Sequence, residues 1–255
     1  MHMNYKHLIV FLFTILLFNC KEEKMNLVRI EGKKININDS IELNQEIDDF
    51  VKPYREHVNK DLDSVISYAV DTYSKSDGDF NTAIGNLFAD AVLEQSNIIF
   101  NKRTGENLDM TLLNHGGIRS IISKGNITTR TAFEIMPFEN SLVAVAMKGQ
   151  TIQDSLVRYL SRAKRAHPIA GLKIKLDKDF KAIEATINNK PIDPNKTYYV
   201  VTNDYLYHGG DGMSFFQTND SLYDLNYKVR NALLDHFKKV DTINPVRDDR
   251  FIKLN

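Results

Sequence analysis

Two apolar runs in the sequence each lead into a glycine-rich turn, and this repeated pattern restricts the fold more than any other feature. Met110–Leu113 leads into Asn114–Gly117, and the β-branched and tyrosine-rich run Thr197–Thr202 leads into Asn203–Asp211. Short apolar runs that stop at glycine turns are typical of buried strands. Because polar groups at strand ends often converge on a ligand, we expect a binding site where these two strands end.

The rest of the chain alternates helical patterns with strand patterns. Apolar residues at helical spacing predict four helices and a looser helix before the first of them, whose early part Pro53 interrupts. Short apolar or β-branched runs predict further strands. No internal repeat of solenoid length is present, so the alternation predicts α/β (α+β) architecture, a single layered domain of mixed β-sheet and helices. The predicted helices are about Asn59 to Tyr73, Thr82–Gln95, Thr151–Arg165 and Tyr227–Val240, and the further strands are Leu142–Met147, Leu172–Leu176, Ala182–Ile187 and an edge strand at Phe251–Leu254.

The charge balance argues against one class of ligand. Lysine and arginine together number 33, and aspartate and glutamate also number 33, so the formal net charge is zero. A polymeric nucleic acid is therefore not expected as a partner, because its phosphates are usually met by a basic excess. The hydrophobic fraction of 42% and the charged fraction of 26% are those of a globular protein with a packed core.

The first twenty residues differ from the rest of the chain. The apolar run Leu8–Phe18 is short for a membrane span but suits a secretory signal, and it ends beside Cys20, the single cysteine. This layout resembles a bacterial lipoprotein signal, in which that cysteine is lipidated; the alternative is a plain signal peptide with an incidental cysteine. We expect export and attachment to the bacterial cell envelope, periplasm-facing or at the cell surface, through a lipid anchor only. The predicted segments are a signal over residues 1–20, a tether over residues 21–40 and a folded domain over residues 41–255.

The first glycine turn carries candidate ligand-binding groups. Gly116 and Gly117 allow a ligand to approach the backbone, and Arg119 offers a planar set of donors to phosphate or sugar oxygens. Taken alone, Arg119 could equally be a surface salt-bridge partner.

The second glycine turn and the segment between the turns add an acid and an aromatic ring. Asp211 stands between Gly210 and Gly212, and we expect both of its carboxylate oxygens to be free to accept the two hydroxyls of a ribose; an Asx-turn role is the alternative. Phe138 follows Pro137, which fixes the backbone and favours presentation of the ring from a rigid turn. The alternative for Phe138 is a place in the core.

Several motifs occur in a fixed order, and together they resemble the C-terminal domain of the 5'-nucleotidase family. Their combination is far more specific than any one of them, and with the flanking helices the resemblance covers nearly all of the chain after the signal. The motifs are NTAIGNLFADAV (residues 81–92), NHGGIRS (114–120), GNITTRT (125–131), PFEN with LVAVAMKG (137–140 and 142–149) and YYVVTNDYLYHGGDG (198–212).

The resemblance implies roles for individual residues. Phe138 and Tyr205 would hold a base between them, Asn114 and Arg119 would bind the nucleoside or its phosphate, and Asp211 would contact the ribose. Tyrosine replaces the family's more frequent phenylalanine at position 205, and the loop of residues 76–81 lacks an arginine that several members carry. The predicted substrate-binding set is Asn114, Gly116, Gly117, Arg119, Phe138, Asn140, Tyr205, Gly210 and Asp211.

The catalytic half of such an enzyme is not evident in the sequence. A two-metal phosphatase needs clusters of histidine, aspartate and asparagine, whereas His115 and His208 lie in the two turns without such a cluster and are interpreted as packing or hydrogen-bonding groups. We therefore expect no catalytic residue and no cofactor in this chain, with two divalent metals in a separate metallophosphatase chain. The predicted function is nucleotide recognition in nucleotide catabolism; the alternative is a non-catalytic nucleoside-binding or nucleotide-binding lipoprotein.

Overall fold

The computed structural model describes Ile9, residues 27–38 and residues 41–254. The signal predicted over residues 1–20, including Cys20, lies outside these described residues except at Ile9. None of the helices in the described part of the chain is both long and apolar enough to cross a membrane.

The chain divides into two units, one up to Phe50 and one from Val51, and the boundary falls inside the first helix. In the first unit, residues 27–38 are exposed and form neither a helix nor a strand. The second unit contains the sheets and the candidate site.

The second unit is built from alternating strands and helices, which we number in chain order. The helices are α1 (Gln45–Leu62), which begins in the first unit, α2 (Ala83–Thr104), α3 (Thr129–Ile135), α4 (Gly149–Thr151, a π-helical turn over Ile152–Val157, and Arg158–Ala163), α5 (Asp204–Tyr207) and α6 (Val229–Lys239). The strands are β1 (Val65–Ala69), β2 (Met110–Leu112), β3 (Gly125–Thr128), β4 (Ser141–Lys148), β5 (Ile169–Ala170), β6 (Leu172–Leu176), β7 (Ala182–Ile187), β8 (Lys190–Pro191), β9 (Thr197–Asn203), β10 (Ser221–Lys228), β11 (Thr242–Ile243) and β12 (Phe251–Lys253).

The strands form three mixed sheets. The central sheet has the order β10-β4-β9-β2-β5, and smaller sheets have the orders β11-β1-β3 and β12-β6-β7-β8. β9 pairs with β2 in parallel and with β4 antiparallel, while β12 pairs in parallel with β6 as an edge strand. Helices and mixed sheets in this arrangement confirm the predicted α/β (α+β) class.

Strand β4 is buried on both faces, which explains why its sequence is apolar at nearly every position. Leu142 and Ala144 pack into a core shared with α2 and α6, whereas Val143 and Val145 pack into a second core shared with α4. Successive side chains of a strand point to opposite faces, so a strand that is covered on both faces needs apolar residues throughout. The central sheet is therefore sandwiched between helices.

The strand register brings three loops to one edge of the central sheet. Thr111 of β2 pairs in parallel with Val201 of β9, and Leu142 of β4 pairs antiparallel with Asn203 at the end of β9. The carboxyl ends of β2 and β9 therefore lie beside the amino end of β4. Both glycine turns and the segment before β4 meet at this edge.

Two predicted elements differ from the structure. The helix predicted from about Asn59 to Tyr73 is wrong, because α1 ends at Leu62 and Val65–Ala69 forms β1, which pairs with β3 and β11. The looser helix predicted ahead of Asn59 corresponds to most of α1, which is one continuous helix with Pro53 inside it.

The last predicted helix also begins too early. It starts at Val229, not at Tyr227, because Ser221–Lys228 forms the strand β10 along β4. The side chains of β10 are mostly exposed or partly exposed, so the strand lacks the apolar run that would have revealed it. The helix Thr82–Gln95 was predicted correctly in position but is longer, with Thr82 as its N-cap.

Candidate functional site

A pocket of about 580 Å³ opens at the edge of the central sheet where the three loops meet. All predicted substrate-binding residues line it except Gly210, which lies beside it against the ring of Tyr205. The structure thus brings together residues that are up to 97 positions apart in the chain. The lining residues are Asn114, Gly116, Gly117, Arg119, Phe138, Glu139, Asn140, Tyr205 and Asp211.

The first glycine turn is a 3₁₀ turn over His115–Gly117 that follows β2. The backbone N–H of Gly117 donates to the carbonyl of Asn114 at 3.0 Å. A Cβ atom at Gly117 would lie 2.9 Å from Oδ1 of Asn114, so a larger residue would displace that amide. Glycine at this position keeps the nearly buried Asn114 side chain in place beside the pocket.

Arg119 connects this turn with the segment that carries Phe138. Its backbone N–H donates to the carbonyl of Ile135 at 2.8 Å, and its guanidinium carbon lies 5.7 Å from the centroid of the Phe138 ring. Its Nη1 is 3.5 Å from the carbonyl oxygen of Gly116, at the limit of a hydrogen bond. The Arg119 residue is exposed, and no carboxylate within residues 27–38 and 41–254 forms an ion pair with it, which leaves donors available to a ligand.

Two aromatic rings of the pocket face solvent. Phe138 exposes 42% of its surface and Tyr205 exposes 47%. The alternative in which Phe138 belongs to the core is therefore wrong. Because both rings line one pocket, they offer apolar surface whose burial against an apolar ligand is favourable.

The back of the Tyr205 ring rests on the second glycine turn. A Cβ atom at Gly210 would lie 2.5 Å from both Cε1 and Cζ of the tyrosine, closer than any real contact. Tyr205 itself lies on the short helix α5, whose N-cap Asn203 accepts a hydrogen bond of 2.9 Å from the N–H of Leu206. The Asn203 cap therefore fixes the helix that carries Tyr205, and the ring itself packs against Gly210, which has no side chain.

Asp211 is the most connected side chain of the site. Its Oδ2 accepts a 2.6 Å hydrogen bond from Nδ2 of Asn114, and its Oδ1 accepts a 3.0 Å bond from the Tyr205 hydroxyl. Its backbone carbonyl accepts from the Tyr159 hydroxyl at 2.8 Å, and its φ of +51° is left-handed. The expectation that both carboxylate oxygens are free is thus wrong. Because a carboxylate has about four acceptor positions, each oxygen can still accept one more hydrogen bond.

Asn140 lies at the start of β4, where its amide is already engaged. Its side-chain Nδ2 donates to Oδ1 of Asp204 at 3.0 Å, and its backbone carbonyl accepts from the backbone N–H of Val229 at 3.1 Å. Asn140 therefore braces the segment before β4 against α5 and α6 while it lines the pocket.

Three residues of the site were missed by the sequence analysis. Glu139 lines the pocket, and its hydrogen bond from the buried Arg230 guanidinium lowers the pKa of its carboxyl group. Glu139 is part of the PFEN motif and could have been added from its position beside Phe138. Tyr159 and Arg230 come from distant helices, and nothing in the sequence signals their contacts.

The histidines of the two turns make local contacts. Nδ1 of His115 lies 3.2 Å from the carbonyl of Ala166, and its backbone N–H donates to Nδ1 of His167 at 3.3 Å. Burial lowers the pKa of His167 to about 4, so its ring is neutral at pH 7. The His208 ring lies 5.2 Å from the Tyr207 ring. Within residues 27–38 and 41–254, no group of three or more histidine, cysteine, aspartate or glutamate side chains is arranged to hold a metal ion.

The helix-covered mixed sheet with a pocket at one edge defines a layered α/β domain, and the comparisons with known proteins give its family. Residues 62–218 match the family described as "5'-nucleotidase, C-terminal domain", and the chain belongs to that family. An apyrase of Tabanus yao is 24% identical over 238 residues, covering 85% of this chain and 43% of the apyrase. A cell wall protein of Listeria monocytogenes is 33% identical over 173 residues, covering 62% of this chain and 21% of that protein.

Solved structures agree with the family assignment. A 5'-nucleotidase precursor from Thermus thermophilus superimposes with a TM-score of 0.69 at 25% identity, covering 81% of this chain and 43% of that one. The NAD nucleotidase of Haemophilus influenzae shares the fold, with a TM-score of 0.62 at 20% identity over 83% of this chain and 42% of that one. The chain thus spans less than half the length of these relatives.

Proposed function

We propose that this domain binds the nucleoside part of a nucleotide and serves as the substrate-recognition domain of a 5'-nucleotidase-type phosphohydrolase in nucleotide catabolism. One observation carries the proposal: two exposed aromatic rings, Phe138 and Tyr205, line the same pocket as the carboxylate of Asp211. A nucleoside needs apolar faces for its base and hydrogen-bond acceptors for its ribose, and this pocket offers both.

Each side chain has a distinct task in this proposal. The base stacks on Phe138 and Tyr205. The ribose hydroxyls donate to the acceptor positions that remain on Asp211. Arg119 is the single cationic side chain among the described residues that line the pocket, and it meets a phosphate or a sugar oxygen.

The hydrolytic chemistry is assigned to a partner. We infer that a separate metallophosphatase chain holds two divalent metal ions and activates water, while this chain supplies specificity. The longer relatives support this division of labour, because the matched region accounts for under half of the apyrase and of the Thermus nucleotidase.

The proposed location is the bacterial cell envelope. The apolar run that ends at Cys20 supports export and lipid attachment at that cysteine, which would be the protein's link to the membrane. The similarity to a cell wall protein of Listeria monocytogenes supports the same location.

A second function is capture of nucleosides or nucleotides without catalysis. It is favoured by the pocket itself, which already combines two exposed aromatic rings with the carboxylate of Asp211. The two functions differ in one measurable respect, since a recognition domain increases phosphate release by its partner and a capture protein does not.

Calorimetric titration with adenosine, uridine and their 5'-monophosphates tests the binding site. Saturable binding of at least one nucleoside is expected, and its absence in the folded protein would sink the binding proposal. Mixing the chain with a metallophosphatase encoded beside it, and measuring phosphate release with manganese, zinc or cobalt, tests the catalytic role. No gain over the metallophosphatase alone favours the capture function.

A further inference from the structure

Arg230 is a buried cation that lies directly behind the pocket. It is the second residue of α6, and only 6% of its surface is exposed. Nη1 donates to the carbonyls of Met136 at 3.2 Å and Phe138 at 3.4 Å, and Nη2 donates to the carboxylate of Glu139. Its guanidinium carbon lies 4.0 Å from the centroid of the Phe133 ring.

This position is unfavourable for the helix itself. The amino end of a helix carries a partial positive charge, so a cation in the first turn is repelled rather than stabilised. Burial of a guanidinium costs further free energy unless its donors are satisfied, and Nε of Arg230 has no hydrogen-bond partner among the residues that the structure describes. The reason for an arginine here must therefore lie in the groups it contacts.

All of these contacts go to one short segment, residues 133–139, which ends α3 and presents Phe138. The acceptors lie on both sides of Pro137, which has no N–H to contribute to a turn. The carbonyls of Met136 and Phe138 thus take their donor from α6. By joining these two carbonyls and Glu139, the guanidinium fixes the backbone on either side of the phenylalanine.

We infer that Arg230 is a positioning residue that holds the Phe138 ring in the orientation needed to stack on a base. This inference rests on the proposed function of Phe138 and concerns how the ring is held. The planar guanidinium donates from two terminal nitrogens, so it bonds the two backbone carbonyls and the Glu139 carboxylate at the same time. The ammonium of a lysine is a single point charge and does not. A ring that is fixed before binding loses less conformational entropy when the ligand arrives, which improves affinity.

The affinity test compares Arg230→Lys with a matched control, Arg250→Lys. Arg250 is also largely buried and bonds Asp90, Asp248 and the carbonyl of Ile169, outside the pocket. We expect Arg230→Lys to weaken nucleoside binding about two-fold to ten-fold and Arg250→Lys to leave it unchanged. In a Phe138→Ala background, Arg230→Lys should have no further effect on affinity, since the ring it positions is absent.

A second readout needs no ligand. The sequence contains no tryptophan, so Phe138→Trp provides a single fluorescent reporter at the ring position. Arg230→Lys should increase the local mobility of this indole in time-resolved anisotropy, and Arg250→Lys should not. If Arg230→Lys does not fold, Glu139→Ala, which removes one acceptor of the fork, takes its place with the same expected increase.

The outcomes separate the two claims. If the parent binds nucleosides and Phe138→Ala weakens binding, but Arg230→Lys changes neither affinity nor anisotropy, the positioning role is wrong and the proposed function stands. If the folded parent binds no nucleoside, the proposed function fails. In that case an unchanged anisotropy decay overturns the positioning of the ring as well, and a faster decay, which reports a more mobile indole, limits Arg230 to holding the ring.

Discussion

The hydroxyl of Tyr205 donates a 3.0 Å hydrogen bond to Oδ1 of Asp211, so the ring and the carboxylate of the pocket hold each other in place. The bond exists because a glycine at position 210 lets the ring lie against the backbone of the turn that carries Asp211. Since Asn114 bonds the other carboxylate oxygen, one network connects both glycine turns before a ligand binds. Several expected effects of substitutions follow from this network.

Replacement of Tyr205 separates the function of the ring from that of its hydroxyl. Tyr205→Ala removes the stacking face and should cost about 1 to 3 kcal/mol, weakening nucleoside binding roughly ten-fold to a hundred-fold. Tyr205→Phe keeps the face and loses only the bond to Asp211, so it should weaken binding less. Calorimetry measures both, and equal losses in the two variants would contradict a stacking role for the ring.

The carboxylate of Asp211 should decide how well ribose hydroxyls are recognised. Asp211→Asn suits this test, because asparagine tolerates the left-handed backbone found here. The variant should weaken binding of ribonucleosides more than binding of 2',3'-dideoxynucleosides, which lack the hydroxyl pair. Competition titrations give the ratio of affinities, and an unchanged ratio would exclude Asp211 as the ribose contact.

Gly210 provides a test that leaves both functional side chains in the sequence. In Gly210→Ala, the new Cβ would lie 2.5 Å from the Tyr205 ring and would push it out of place. Nucleoside affinity should therefore fall as far as in Tyr205→Ala. Gly32→Ala is the matched control, because a Cβ there meets nothing within 4 Å. Binding by Gly210→Ala at the parent's affinity would show that the position of the ring does not matter.

The sequence was sufficient for the parts of the site that depend on local patterns. β4 could be predicted because burial on both faces makes it continuously apolar, and the turns at Asn114 and Asp211 could be predicted because glycine marks them. β10 could not, since its partly exposed side chains carry no apolar alternation. The apolar spacing through Val65 predicted a helix, but this segment forms β1 because pairing with the distant strands β3 and β11 stabilises it.

Contacts between distant segments explain the remaining differences. The direction of the Tyr205 hydroxyl depends on how the ring packs against Gly210. The hydrogen bond from this hydroxyl to Asp211 could therefore not be predicted from the sequence. Arg230 reaches the Phe138 segment only because β10 and β4 bring the start of α6 beside it. Such contacts are set by tertiary packing and leave no periodic signal.

The predicted lipid anchor can be tested apart from the pocket. Cys20→Ala removes the single thiol of the chain, so the variant should carry no acyl groups and should wash out of the membrane fraction. Firm attachment requires more than one acyl chain, because a single chain binds membranes only marginally. Mass spectrometry and membrane fractionation measure the two effects. Unchanged mass and retention would refute lipidation at this residue.

His167 should make the stability of the fold depend on pH. Its pKa is lowered to about 4, first because of burial; His115 also lowers it, while a hydrogen bond to the backbone of Leu113 and the charge of Asp211 act in the opposite direction. The unfolded chain has an ordinary histidine pKa of about 6.5. Between these two values the unfolded state binds a proton that the folded state does not, so the free energy of unfolding decreases as the pH falls through this window.

The decrease in the free energy of unfolding that is due to His167 is expected to reach about 3 kcal/mol near pH 4 and to vanish above about pH 7. His167→Gln removes the group, so urea denaturation between pH 7 and pH 4 should show a shallower decrease in stability than in the parent. His57→Gln is the control, because His57 is exposed on α1 and should leave the slope unchanged. Parallel pH profiles for the parent and His167→Gln would contradict the lowered pKa. The imidazole of His167 would then accept a proton in the folded state as readily as in the unfolded chain.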